Sequence, residues 1–434
     1  MTATTTTSEA RAADSTDQAA LVARRRGRPL GRTDLVVLGV VLANIVYRWI
    51  ISRPGYFWQD DYFMMMWAKQ NPLSLDYLLL PASDHFQPLG LALLWVSQRL
   101  FPGSYDAAFA WTTALYALSL WFLYRWLRVT FGWRVQFYLV LVVAGFSVFT
   151  LQAYLWYASS VWMAPLVCFS FLTLWMVGRY RSRPSRRALA LVLVAMTLTV
   201  LSHPFALAVP VMVVALVATV PTGGDPRTGL RAVFRAWRLW PVLALPFMLV
   251  PWFYLRGLGT GTPRDFSVQT AAAFIGREWL AGVAPGTVGG PWIYYGFLGP
   301  EWPVITPYGV FWAVQLAVLV LLVLPLLRRR VVWLWIAAVL VIVLQLGAVA
   351  VGRTFPAGVP VVIRYISPAV VPLVVALACT LAASPVDAGA WRDRAQPLRR
   401  AWKRIGGVGR TTVVVVLVQA YAVSFSFTLV APVT

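Results

Sequence analysis

The run Leu35-Val36-Val37-Leu38-Gly39-Val40-Val41-Leu42-Ala43-Asn44-Ile45-Val46-Tyr47-Arg48-Trp49-Ile50-Ile51 reads as a helix that crosses a bilayer. It stops at Arg53-Pro54-Gly55, where proline and glycine end a helix. Directly after it comes Tyr56-Phe57-Trp58-Gln59-Asp60-Asp61-Tyr62-Phe63, two adjacent carboxylates in a chain with only 15 acidic residues. An acidic pair this close to lipid is costly unless water, a partner or a ligand receives it, so it marks a candidate site.

The same rhythm continues along the chain. Of its 434 residues 60% are hydrophobic and 12% charged, with a mean hydropathy of +0.71, far from the soluble average. The net charge of +22 does not imply nucleic acid as a partner, because the basic residues fall in short clusters between apolar runs. Cys168 and Cys379 lie inside such runs and read as small buried hydrophobes. Residues 1–33, rich in Thr, Ala and Ser and carrying Arg24-Arg25-Arg26-Gly27-Arg28, read as a disordered cytoplasmic tail. Residues 34–434 read as one transmembrane domain.

Residues 88–101 are apolar but short and carry Gln98 and Arg99, which suits a juxtamembrane helix in the first outer loop, 53–103. If that helix does not cross, spans are expected near 35–51, 104–124, 135–153, 160–178, 188–203, 205–220, 239–255, 307–327, 331–351, 366–383 and 411–432. The fold class expected is thus an all-α polytopic membrane bundle of about 11 transmembrane helices. The basic turns at Arg125/Arg128/Arg134, 179–187, 227–238, Arg328-Arg329-Arg330 and 392–410 then share the side of the tail, as the positive-inside rule asks. Asp60, Asp61, Asp76, Asp84, Asp106, Asp265, Glu278 and Glu301 fall on the other side. The expected placement is the cytoplasmic membrane, with an N-terminus in the cytoplasm and any chemistry on the extracytoplasmic face. Carboxylates are missing from the middle of every expected span, which argues against a proton or ion relay.

Three motifs in this order, Asp60-Asp61 after the first span, Asp84-His85-Phe86-Gln87-Pro88-Leu89 opening the juxtamembrane helix, and Arg364-Tyr365-Ile366-Ser367-Pro368 opening a late span, carry a resemblance. The chain resembles the GT-C superfamily of polyprenyl-phosphate-dependent membrane glycosyltransferases, in the branch of protein O-mannosyltransferases and aminoarabinose transferases. That resemblance implies a GT-C-like bundle that moves a sugar from a polyprenyl-phosphate donor, with inversion, to a hydroxyl of a glycan, lipid or protein acceptor. In such a reaction the leaving group is already good and the acceptor hydroxyl must lose its proton, a task for one carboxylate. Asp60 is expected to be that base, with Asp61, Asp84 and His85 positioning the acceptor or a cation. Arg364, then Arg353, are expected to hold the departing phosphate, since planar guanidinium suits its oxygens. A divalent cation, magnesium or manganese, stays open as a cofactor. The segment Trp156-Tyr157-Ala158-Ser159-Ser160 lacks the acidic residue that many members carry there.

Plainer readings stand beside these. One aspartate of the pair caps the helix that follows it, His203 is structural, and Arg264-Asp265 and Arg277-Glu278 form solvated pairs. The outer loop 256–306, rich in Gly, Pro, Trp and Tyr, is read as long and structureless, with aromatics for sugar faces or for the membrane interface. Two other functions remain open: an outer-face glycan ligase or polymerase working without a carboxylate base, and a non-enzymatic lipid-sugar flippase.

Overall fold

The computed structural model describes residues 31–53, 55–80, 85–220, 226–255, 267–287, 293–294, 304–305, 331–352 and 363–383. The N-terminal tail, Asp84, Arg353, the Arg364 side chain and the spans expected at 307–327 and 411–432 lie outside that set. In chain order the helices are α1 (Arg32–Ser52), α2 (Asp60–Gln70), α3 (Leu75–Leu78), α4 (Pro88–Leu100), α5 (Tyr105–Phe131), α6 (Phe137–Phe146), α7 (Val148–Leu155), α8 (Tyr157–Ser182) and α9 (Arg186–Ser202). They continue with α10 (Ala208–Thr219), α11 (Pro226–Arg235), α12 (Leu239–Ala244), α13 (Leu249–Leu255), α14 (Val268–Arg277), α15 (Ala284–Thr287), α16 (Val332–Gly352) and α17 (Val370–Ala382). The chain is a polytopic helical membrane protein whose described strands are a two-residue bridge, Ile293 opposite Ile305 and Tyr294 opposite Val304.

The expectation of eleven spans is corrected. Five helices among the described residues are long and apolar enough to cross: Arg32–Ser52, Tyr105–Phe131, Tyr157–Ser182, Val332–Val351 and Tyr365–Ala382. A sixth requires joining Arg227–Arg235 to Leu239–Phe253 across a 75° bend. The other described apolar runs fall short for local reasons. Residues 135–153 are broken at Ser147, whose backbone is extended between α6 and α7. The α9 helix has 17 residues and ends at His203-Pro204, and the next run opens as a 3-10 turn, Pro204–Leu207, before α10. Proline at position 204 has no N–H to continue the ladder and restricts the residue before it.

Helix α1 turns its apolar residues outward and its polar residues inward. Leu35, Leu38, Leu42, Val46 and Ile50 are exposed, whereas Asn44, Arg48 and Ser52, spaced four residues apart on one face, are buried. In lipid this pattern is favourable: apolar side chains meet the hydrocarbon and polar ones find partners in the bundle. Arg48 donates to Asn44 Oδ1 at 3.3 Å, Gly145 O at 3.3 Å and Thr150 Oγ1 at 2.9 Å, and its guanidinium lies over the rings of Tyr116 and Tyr154 at 3.8 and 4.7 Å. Asn44 Nδ2 donates to the same Gly145 carbonyl at 2.6 Å. The break at Ser147 leaves the last carbonyls of α6 without helical donors, and a cation at a helix C-terminus also meets its dipole. The inward stripe of α1 therefore seals the broken span.

The two ends of the bundle differ in the way the basic turns imply. At one end Asp34, at the start of α1, accepts from Arg128 at 2.9 Å and from Tyr124 at the far end of α5. Arg125 and Arg179 lie over Trp175, and Arg134 and Gln136 donate to Ala382 O and Leu381 O, the final carbonyls of α17. These cations ring the end that carries the N-terminus of α1. The opposite end gathers α2, α3 and α4, the N-termini of α5 and α8, and the C-terminus of α9.

The short helix α4 belongs to that second end. At 13 residues it is below span length, and Tyr77 Oη donates to Leu91 O at 3.1 Å while Trp95 Nε1 donates to Asn71 O at 3.0 Å. It crosses α8 at Gly90, where a Cβ would lie 2.9 Å from Val161 O and 3.0 Å from Val161 Cγ1. A backbone oxygen cannot swing aside. Gly90→Ala is therefore expected to lower stability by about 1–3 kcal/mol, read as a drop in the melting temperature of the detergent-solubilised protein.

The segment read as a structureless loop at 256–306 is corrected in part. Ser267 caps α14 by accepting from Thr270 N, and the chain stays helical through a π turn, Glu278–Val283, into α15.

Candidate functional site

The site is built on a tight turn between α1 and α2. Asp61 N donates to Trp58 O at 2.7 Å and Tyr62 N to Gln59 O at 3.0 Å. Gln59, the N-cap of α2, takes φ 20° and ψ −91°, a conformation L residues rarely hold. Such strain persists only where the surroundings over-determine it, and it collects at functional sites. Here the restraint is Asp61. One of its carboxylate oxygens accepts from Trp58 N at 2.8 Å, and the other accepts from Ala158 N, in the first turn of α8, at 2.6 Å. Phe57 adds a ring contact with Tyr105 at 5.2 Å and with Tyr157 at 5.5 Å. Close by, a Cβ on Gly55 would run into the Tyr105 hydroxyl, so the turn lies flush on the start of α5.

Asp61 thus caps a helix that is not its own: its carboxylate sits at the N-terminus of α8, where free N–H groups and the dipole favour negative charge. As a result Asp61 is 1% exposed with both oxygens engaged, and it is corrected from a candidate that positions acceptor or cation to a structural clamp. Asp60, one residue earlier, is half-buried and makes no side-chain hydrogen bond or ion pair among the described residues. The pair divides its labour by geometry.

Burial pushes the Asp61 carboxyl up to about 7 from an ordinary 3.8, with the N–H groups of Trp58 and Ala158 pulling it down and the charge of Asp60 pushing it further up. The folded state then holds this proton more tightly than the unfolded chain does. Its stabilising effect is complete below about pH 4, is lost as pH rises toward 7, and is constant above. Thermal melting of the wild-type protein is expected to show this fall between pH 4 and 7, and Asp61→Asn, which cannot ionise, is expected to lack that component of the slope.

A second cluster lies at the same end. His85 leads into α4 and is half-buried; its ring is 5.0 Å from that of His203 and 6.3 Å from that of Trp162. Trp162, one turn into α8 beyond Ala158, stacks on His203 at 4.3 Å and 30°. His203 Nδ1 accepts from Phe205 N at 3.2 Å, and Gln345 of α16 donates to Phe205 O at 3.4 Å. The fold therefore brings together the two histidines of the chain, which lie on segments 118 residues apart in sequence. The plain structural reading of His203 misses this, because nothing local in Ser202-His203-Pro204 points to His85.

The late motif reaches this end by its backbone. Ile363–Ala369 form a 3-10 turn that packs on α7, α8, α16 and the π turn, and the Tyr365 ring lies 6.0 Å from Phe274 of α14. Arg364 is the second residue of that turn. The solvated pair expected at Arg277-Glu278 is corrected: Arg277 is exposed and donates to Ala273 O, whereas Glu278 is 1% exposed. The divalent cation finds no ligand set among the described residues, where no three His, Cys, Asp or Glu side chains gather closely enough to hold one. Asp84 and Arg353 lie outside the described residues, as does the whole of the Arg264-Asp265 pair. No family model, curated protein or solved structure matches the chain.

Proposed function

We propose that the protein is a GT-C-like membrane glycosyltransferase that moves a sugar from a polyprenyl-phosphate donor to an acceptor hydroxyl at the end of the bundle opposite its basic turns. The observation that carries this reading is the division within the acidic pair. Asp61 is consumed in clamping the strained turn to α8, and Asp60 is left half-buried, without a hydrogen-bonding partner among the described residues and anchored on a rigid helix start.

In the proposed step the acceptor hydroxyl gives its proton to an Asp60 carboxylate oxygen as its own oxygen bonds to the anomeric carbon. The bond from that carbon to the phosphate oxygen breaks, its electron pair leaves with the polyprenyl phosphate, and the anomeric centre inverts. Arg364, at the mouth of the 3-10 turn packed on α7 and α8, is the proposed cation for the departing phosphate. No step is routed through a metal. Proposed with this reading are a cytoplasmic-membrane location, an N-terminus in the cytoplasm and a glycan, lipid or protein acceptor.

The test is to incubate the purified protein with a panel of radiolabelled polyprenyl-phosphate sugars and follow release of polyprenyl phosphate that depends on Asp60. A ligase without a carboxylate base would consume donor regardless of Asp60.

One observation favours a flippase as a second reading: the span at 137–155 is broken beside a buried arginine, and transporters build their sites at broken helices. Against it, the break is closed by the chain itself, through Asn44, Arg48 and Thr150. In the same assay a flippase would move the lipid across a vesicle membrane without consuming it.

A further inference from the structure

We infer that His203 is a ligand-binding residue of this site, its Nε2–H donating, beside the His85 ring, to a phosphate oxygen of the lipid-linked donor. This inference rests on the glycosyltransferase reading and names a contact that reading does not contain.

The protonation of His203 follows from its neighbours. Phe205 N–H donates to Nδ1 at 3.2 Å, so in the neutral ring Nδ1 is the acceptor and the proton resides on Nε2. That nitrogen is buried, in a residue 2% exposed, and has no hydrogen-bond partner among the described residues. Buried donors without acceptors are rare in folded proteins, and each calls for an explanation. The ring cannot turn away to find one. Trp162 covers it at 4.3 Å in a stacked geometry and Phe205 abuts it at 4.4 Å, while the bond to Phe205 N fixes its rotation. The donor is thus held in place before anything binds.

The glycosyltransferase reading supplies an anionic oxygen as its acceptor. His85, the other imidazole in the cluster, is 5.0 Å away and half-buried, so it is the more exposed of the two. The contacts that hold His203 in this cluster come from aromatic rings, the other imidazole and a backbone amide. A hydrogen bond to an ionised acceptor is shorter and stronger than one to a neutral oxygen. A phosphate monoanion or diester oxygen supplies that acceptor.

Two substitutions separate binding from structure, because each amide side chain copies one nitrogen of the ring. His203→Asn places a carbonyl oxygen near Nδ1 and keeps an acceptor for Phe205 N, but removes the group at Nε2. His203→Gln carries an amide out toward Nε2 and gives up the cap. The probe is a polyprenyl monophosphate, titrated into the full-length protein in lipid nanodiscs, with the melting temperature of each variant measured in parallel. Both variants lose the stacked ring and are expected to melt below wild type, with His203→Asn weakening binding about 10-fold or more and His203→Gln keeping most of the affinity. Wild-type affinity in His203→Asn overturns the inference and leaves the glycosyltransferase reading standing. Equal loss of affinity in the two variants also overturns it, since that marks a structural ring. A wild-type protein that ignores the lipid phosphate overturns both.

Discussion

Asp60→Asn is expected to lower sugar transfer by about 10² to 10⁴-fold, the usual worth of a general base, without a measurable change in melting temperature. The two readouts are paired because a fold defect would move both. Asp60 makes no side-chain hydrogen bond among the described residues, so the amide leaves no donor stranded and removes only a proton acceptor. Asp61→Ala, one residue along, is expected to behave in the opposite sense. It strands Trp58 N–H and Ala158 N–H at a buried position, each at about 1–3 kcal/mol, and so lowers the melting temperature before any question of chemistry arises. The Asp61 carboxyl, pushed up to about 7, has a proton affinity suited to base catalysis. Access decides against it, because both its oxygens are engaged and the residue is buried. Full donor consumption by Asp60→Asn would end the general-base reading, and loss of folding in that variant would show that the clamp includes both carboxylates.

How far the sequence alone reaches depends on whether the signal is local. The first span, the stop at Arg53-Pro54-Gly55 and the acidic pair are legible because hydropathy, proline and charge act within a few residues. So is the gathering of basic turns such as Arg125/Arg128 and Arg179 at one end of the bundle, because their spacing between apolar runs repeats along the chain. The same logic places 88–101 among the juxtamembrane elements, by length. Hydropathy does not register a break in an apolar run whose freed carbonyls are capped from elsewhere, and this is why 135–153 reads as one span although it is two helices. The cap lies about a hundred residues upstream, in Asn44 and Arg48. A signal for it is present: Asn44, Arg48 and Ser52, each four residues on from the last, draw a polar line along one face of an otherwise apolar helix. In the site, the division between Asp60 and Asp61 and the meeting of His85 with His203 depend on where α8 and α9 pack, and neighbouring residues carry no trace of either.

Arg48→Lys is expected to destabilise the protein more than Arg48→Met, an order opposite to the one charge conservation would give. Arg48 is a fully buried cation whose described partners are neutral: an amide oxygen, a backbone carbonyl, a hydroxyl and the faces of two tyrosines. With no carboxylate among them, the desolvation of the charge is offset only by the number of donors the planar group can place at once, and by its stacking on Tyr116 and Tyr154. A lysine keeps the charge and surrenders the fork and the stack. It leaves a buried cation short of partners, at about 3 kcal/mol or more. Methionine removes the charge together with its desolvation penalty and fills much of the same volume with apolar atoms. Gly145 O still receives Asn44 Nδ2 at 2.6 Å, and the loss is then the hydrogen bonds to Thr150 and to Asn44 Oδ1, about 1–3 kcal/mol in all. Thermal melting of the two variants in one detergent decides the order. If lysine melts above methionine, the broken span needs a positive charge at the α6 C-terminus more than it needs the shape of the guanidinium, and the dipole of that half-helix outweighs the fork and the stack.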